Sequence, residues 1–281
     1  MLVNLKKIIA MAEEGGYCIP AFNVYNTETI MGVVAAAEEA KAPVIIQVYP
    51  RLINEEVGFY LAPAIVAAAN RASVPICFHL DHGPDESSAQ KILRWGATGI
   101  MYDGSVHPFN ENIATTKHIV DICNAVNVGV EGELGHVGSV NDDAMDEFTD
   151  PKEAAKFVEA TGVTCLAVLI GNAHGHYKKT PCLDIDRVKA IRKATNNTPL
   201  VLHGGSGIPD DQVKAAINAG IRKINIGTDV CCAFAEGAKA ELDNPNRSLA
   251  VDLFMKPSIE SVKKLALNKI ALTGALGKAS I

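Results

Sequence analysis

Eight short runs of apolar residues recur along the chain, each followed by a stretch with helical spacing, and this alternation restricts the fold more than any other feature. The runs fall at 17–23, 43–49, 74–80, 98–102, 128–134, 164–169, 199–203 and 221–226. Between them, segments such as "TETIMGVVAAAEEA", "SSAQKILRWG", "DPKEAAKFVEATG" and "PDDQVKAAINAG" set apolar residues three and four apart. Many of these segments end on Gly or Asn, as helix C-caps do. The strand segments are continuously apolar rather than alternating, which requires burial on both faces and hence parallel pairing beneath helices. Eight βα units favour an α/β fold of the (β/α)8 TIM-barrel type over a doubly wound sheet. No GxGxxG follows the first strand, which weakens the dinucleotide-binding alternative.

No Pro/Gly/Ser-rich linker divides the chain, so residues 1–281 read as a single barrel domain, with 245–281 as a C-terminal helical extension suited to subunit contact. With 48% hydrophobic residues the chain can bury one large core. The net charge of −6 is spread among interspersed acids and bases, so nothing supplies the basic stripe that nucleic acid or an anionic membrane would need. "MLVNLKKIIAMAEEGGYC" carries Glu13 and Glu14 beside a short apolar run and fits neither a signal peptide nor a spanning helix. A soluble, non-exported protein is expected. Seven cysteines without a CxxC pair fit the reduced thiols of a cytoplasm. The adjacent Cys231 and Cys232 read as packing, because helix neighbours diverge by about 100°.

In a barrel the carboxyl ends of the strands converge on one face, where chemistry sits. Here the strands end on, or lead into, Asn23, Gln47, Asp81 with His82, Asp103, Glu133, His174, His203 and Asn225. Any one of the eight histidines taken alone is better read as a satisfied loop residue. His82, His174 and His203, however, arrive at the rim from three different strands, the imidazole count of a catalytic zinc site with an open fourth position. His79, His107, His118, His136 and His176 are expected to be structural, with His107 and His176 close enough to support the ligands. Asp81, adjacent to His82, cannot readily ligate the same ion and is better placed as a general acid/base. Asp103 and Glu133 either orient the ligands, hold a displaced or second metal or a monovalent cation, or hydrogen-bond the rim backbone.

"LHGGSGIPDD" continues from His203 into Gly204, Gly205 and Ser206 before a helix, and "INIGTD" follows the eighth strand. Glycines at these two positions of a barrel form a phosphate cradle at a helix N-terminus. Lys178 in "AHGHYKK" can add a charge to that anion or remain a solvated loop lysine. The segments 135–150 and 171–183 exceed what a barrel connection needs, and loops of that length are usually mobile and functional.

Taken together, "HLDHG", "MYDGS", "EGELG", "AHGHYK", "LHGGSG" and "INIGTD" resemble the class II, zinc-dependent fructose- and tagatose-bisphosphate aldolases, in order and over nearly the whole chain. The resemblance implies reversible retro-aldol cleavage of a ketose 1-phosphate or 1,6-bisphosphate to dihydroxyacetone phosphate and an aldehyde. It implies one catalytic Zn2+ on His82, His174 and His203, with Asp103 and Glu133 helping to hold metal, and Asp81 acting on the C4 hydroxyl. Gly175, Lys178, Gly204, Ser206, Asn225 and Thr228 match positions around the dihydroxyacetone phosphate moiety, where Gly205 and Gly227 also fall, and Asn23 and Gln47 line the site. A homodimer or homotetramer is implied as well.

The chain departs from that family pattern in several places. Where many members carry "GGEED", with a glutamate that protonates the carbanion, this chain reads "GSVNDD", so Val140 and Asn141 stand there and Asp142, or Asp143, is the expected substitute. Gly227 replaces the aspartate of fructose enzymes, closer to the tagatose-type pattern. "SxGA" after the second strand is "YPRL", and a C-terminal "DPR" is "KPS". Those two sites grip the distal phosphate in the family, so Tyr49 and Ser258 imply a different group at the far end of the sugar. Arg51 is expected either to contact that group as an anion or to be a surface charge at a helix start. A substrate such as 6-deoxy-6-sulfofructose 1-phosphate satisfies these departures, with an ordinary fructose- or tagatose-1,6-bisphosphate aldolase as the alternative. A Schiff-base aldolase would need a desolvated lysine inside the barrel, and the one lysine within a predicted strand, Lys223, flanks its start rather than its rim end. A non-catalytic partner subunit is the alternative of another class, against which an intact Asp81 and three histidines speak.

Overall fold

The computed structural model describes residues 1–139, 148–175, 177 and 180–279. Eight parallel strands close into a barrel in sequence order. They are β1 (Ile19–Asn23), β2 (Val44–Val48), β3 (Ile76–Gly83), β4 (Gly99–Tyr102), β5 (Gly129–Leu134), β6 (Cys165–Val168), β7 (Leu200–Leu202) and β8 (Ile221–Ile226). Each lies within or close to one of the eight apolar runs, and β1, β2 and β4 through β7 are buried along their whole length, as parallel strands under helices must be.

The helices that cover the barrel are α1 (Leu5–Gly15), α2 (Thr27–Glu39), α3 (Pro50–Asn54), α4 (Glu56–Arg71), α5 (Glu86–Arg94), α6 (Phe109–Ala125), α7 (Pro151–Thr161), α8 (Ile185–Ala194) and α9 (Asp210–Ala219). They are followed by α10 (Thr228–Asp243), α11 (Val251–Phe254) and α12 (Lys256–Leu272). The residues after 245 are thus largely helical, and α12 packs against α2 and α10. Ahead of β1, α1 sets Leu5 against Gly99 and Gly129 at the starts of β4 and β5, where a Cβ on either glycine would lie 3.0 Å from that of Leu5. The long apolar segments "EEVGFYLAPAIVAAANRA" and "FNENIATTKHIVDICNAV" form α4 and α6. Among the described residues no helix is long and apolar enough to cross a membrane.

β3 departs from regular pairing at the point that matters most for the mouth of the barrel. Its register against β4 shifts between Leu80 and Gly83, and His82 has a φ of 49°, in the left-handed region that a residue with a side chain seldom adopts. Regular strand geometry would send Asp81 and His82 to opposite faces. The irregular segment instead leaves Asp81 Oδ1 3.9 Å from His82 Nε2.

Two expectations are corrected. Cys231 is exposed and Cys232 only half-buried on α10, so packing describes Cys18, Cys77, Cys123 and Cys165 rather than this pair. Ser258 is not at the mouth of the barrel. It is buried on α12, where its hydroxyl donates to the Phe234 carbonyl at 3.1 Å, and a Cβ on Gly237 of α10 would lie 2.5 Å from its Cα. Because backbone atoms cannot yield there, Gly237→Val is expected to cost about 1–3 kcal/mol. A lower urea midpoint checks this.

Candidate metal centre and active site

The three histidines expected at the rim meet. One ring nitrogen from each of His82, His174 and His203 lies within 4.8 Å of the others. In each ring the opposite nitrogen is already engaged: His82 Nδ1 with Asp103 Oδ2 at 2.7 Å, His174 Nδ1 with the Val137 carbonyl at 2.9 Å, and His203 Nε2 with Glu131 Oε1 at 2.9 Å. Carboxylates and carbonyls only accept, so each engaged nitrogen carries a proton, and in a neutral ring the facing one presents its lone pair. His82 Nε2 and His203 Nδ1 are buried without a hydrogen-bond partner. Unpartnered imidazole nitrogens backed by acceptors on their far side are the donor set a metal ion requires, and the residues therefore fit one.

Electrostatics agree with that fit. Burial holds His203 far below the usual imidazole range, and burial followed by the neighbouring His82 charge brings His174 down to about 4, so both are neutral. For His82, burial opposes charge, but the carboxylates of Asp81, Asp103 and Glu133 outweigh it and raise the imidazole to about 9. Glu133 is pushed up to about 8 by burial and then by the Asp103 charge. Its Oε2 is buried without a hydrogen-bond partner, 3.9 Å from His82 Nδ1 and 3.4 Å from His203 Nδ1. Asp103 stays ionised: burial works against it, and hydrogen bonds from His82 and Ser105 more than compensate. His82, Asp103 and Glu133 form a second group whose ligand atoms also lie within 4.8 Å of one another.

Asp81, 2% exposed, is fixed by two amides. Asn23 Nδ2 donates to Oδ2 at 2.7 Å and Asn225 Nδ2 to Oδ1 at 2.8 Å, while Gln47 Nε2 holds the Asn23 oxygen at 3.0 Å. A cavity of about 160 Å³ opens above, lined by Asn23, Asp81, Asn225, Tyr25, Tyr49, His174 and Gly175, and by Gly204, Ser206, Gly227 and Thr228 at the start of α10. The close approach of the β6 and β7 loops depends on Gly204, whose φ is 63° and where a Cβ would lie 2.0 Å from the Ala173 carbonyl. His174 is set from the segment after β5, its amide donating to the Gly138 carbonyl at 2.9 Å.

Of the other expected residues, Gln47 acts through Asn23, and Gly205 uses its amide on the Asn225 carbonyl at 3.0 Å, so neither lines the cavity. Arg51 is exposed on α3, while Tyr49 just before it does line the cavity, its ring centroid 5.7 Å from that of His82. His107 is exposed and pairs with Glu111 at 3.5 Å, far from the supporting role expected of it. His136 takes that role instead, with Nδ1 3.0 Å from the Ser105 hydroxyl that donates to Asp103 at 2.6 Å. Val140, Asn141, Asp142, Asp143, His176 and Lys178 lie outside the described residues. Sequence reasoning missed Glu131 altogether, and took Lys223 for a strand-start residue when it is fully buried inside the barrel, 2.8 Å from Glu131. Both stand two residues before a rim residue of the same strand, Glu133 and Asn225, and strand periodicity puts i and i+2 on one face.

The family model for fructose-bisphosphate aldolase class-II matches residues 3–278. The chain belongs to that family. Among solved structures, the YdjI aldolase from Escherichia coli K12 is 39% identical, with a TM-score of 0.90 and 100% of both chains covered. A fructose-bisphosphate aldolase from Campylobacter jejuni is 24% identical with a TM-score of 0.78, covering 99% of this chain and 97% of its own, a likeness of fold alone.

Two outcomes follow for this class II aldolase-family site. Metal uptake must expel the proton that His82 holds below about pH 9, so titration with Zn2+ at pH 7.5 is expected to release protons, and apparent affinity to fall as pH is lowered. Calorimetry in buffers of differing ionisation enthalpy reads both, and uptake without proton release contradicts them. Gly204→Ala forces apart the loops that carry His174 and His203, and is expected to weaken Zn2+ about 10–100-fold in a chelator competition.

Proposed function

We propose that this protein is a zinc-dependent lyase that cleaves the C3–C4 bond of a ketose 1-phosphate, reversibly, to dihydroxyacetone phosphate and an aldehyde. The observation that carries the reading is Asp81: a carboxylate with both oxygens steadied by neutral amides, 3.9 Å from a metal-facing nitrogen of His82, at the floor of an open cavity. Amide donors hold its orientation without adding a positive charge, so its remaining lone pairs stay available to a hydroxyl proton. A zinc ion held by His82, His174 and His203 supplies the Lewis acid that the ketose carbonyl needs.

In cleavage Asp81 takes the C4-hydroxyl proton, the C3–C4 bond breaks, and the electron pair stays with the dihydroxyacetone phosphate half. Gly204, Ser206, Gly227 and Thr228, with the N-terminus of α10 behind them, are the cradle for the 1-phosphate, where backbone N–H groups and the helix dipole favour an anion. Asp142 remains the residue we assign to protonating the carbanion, and Lys178 the further charge on the phosphate. The chain is taken to work as a homo-oligomer in the cytoplasm.

At the distal end, Tyr49 fills part of the cavity wall, and Arg51, two residues on in α3 and exposed outside the lining, is the positive charge we assign to that end. We assign there a C6 group other than phosphate, such as the sulfonate of 6-deoxy-6-sulfofructose 1-phosphate. The zinc-loaded protein is expected to cleave that compound in preference to fructose and tagatose 1,6-bisphosphates. A clear preference for either bisphosphate defeats the distal assignment and leaves the aldolase reading intact. Asp81→Asn is expected to lower cleavage by roughly 10²–10⁴-fold with zinc content unchanged. Activity that survives EDTA would sink the metal-dependent reading.

A further inference from the structure

Below the rim lies an ion pair that the reaction as described does not use. Lys223 of β8 and Glu131 of β5 are both fully buried, and neither lines the cavity. The Lys223 ammonium sits 2.8 Å from Glu131 Oε2 and donates to Asn225 Oδ1 at 2.7 Å, while the other Glu131 oxygen, Oε1, accepts from His203 Nε2 at 2.9 Å. The Glu131–Lys223 pair therefore touches both halves of the site, one metal ligand and one of the amides that hold Asp81.

We propose that Lys223 is a positioning residue for Asp81, acting by fixing which way round the Asn225 amide sits. The inference rests on the aldolase reading. The oxygen and nitrogen ends of an asparagine side chain have nearly the same shape, so packing alone does not choose between them. In the observed orientation Asn225 offers NH2 to Asp81 and oxygen to Lys223. Flipped, it would set oxygen against the carboxylate, two acceptors facing, and NH2 against the ammonium, two donors facing. An ammonium has no acceptor capacity and cannot adapt to the reversal. Asn23 on the other side of Asp81 is held by Gln47, an amide that can itself turn over and whose Oε1 has no hydrogen-bond partner. The rigid restraint on the carboxylate thus comes from the β8 side, and Glu131 holds the ammonium in place.

Lys223→Met tests this, with Glu131→Gln/Lys223→Met as the second variant, since the single change strands a buried carboxylate and can prevent folding. In the double variant the amide oxygen introduced at position 131 still accepts from His203. Two reactions of dihydroxyacetone phosphate on the zinc-loaded protein separate the routes. Condensation with glyceraldehyde joins the carbanion to the aldehyde carbon, and Asp81 gives its proton to the aldehyde oxygen. Exchange of the substrate's carbon-bound proton with D2O removes and replaces a proton at carbon and involves no C4 oxygen. Compared at saturating zinc with Glu131→Gln, which already carries any cost of that change to His203, the double variant is expected to exchange at a rate within about threefold, while kcat for condensation falls by about 10–100-fold. Condensation that is unchanged, or that falls in step with exchange or with zinc content, overturns the role of Lys223. A zinc-loaded parent that exchanges no proton overturns the aldolase reading itself.

Discussion

The site depends on two consecutive residues of one strand facing the same volume. A pleated strand alternates its side chains, so Asp81 and His82 could not both reach the mouth of a regular barrel. The chain resolves this with a register shift after Leu80 and a left-handed backbone at His82. Such a conformation costs of order 1–3 kcal/mol and persists only where its surroundings over-determine it. Here Asp103 grips the His82 ring from the end of β4, and Asn23 and Asn225 grip Asp81 from β1 and β8 across the mouth, so residues of three other strands hold the irregular segment.

With that geometry in place the electrostatics of the mouth follow. Asp81, Asp103 and Glu133 converge on a space faced by three imidazoles, of which two are neutral. The surplus of acidic groups lifts His82 and, with burial, Glu133. A dication relieves this crowding more completely than protons do, because it answers the imidazole lone pairs and the carboxylate field at once. A few residues away, the glycine turns after β7 and β8 present backbone N–H groups and a helix N-terminus, which suit an anion. Cation and anion preferences thus share one cavity.

Much of this was legible in the sequence. The eight apolar runs located every strand, and the polar residue ending each run marked His82, His203, Asp81, Asn23 and Asn225. His174 was found because "AHGH" follows a strand at the same place in the repeat. Residues whose contacts come from non-neighbouring parts of the chain were harder to place. Ser258 is held under α10 by packing with Gly237, and His136 rather than His107 reaches Asp103 by way of Ser105. Glu131 was passed over, His79 read only as structural and Lys223 only as a strand-start residue, because a polar residue in mid-strand gives no end signal. Their spacing did carry one: each stands two positions before Asp81, Glu133 or Asn225, on the same face and one layer deeper.

The supports behind the three imidazoles differ in kind. His82 and His203 lean on carboxylates of the barrel wall, but His174 leans on the Val137 carbonyl, and its own amide is tied to Gly138, both in the segment after β5. Ion occupancy and the posture of that segment are therefore thermodynamically linked, and the linkage is reciprocal. Whatever steadies residues 137–139 steadies the ion, and a bound ion steadies them in equal measure.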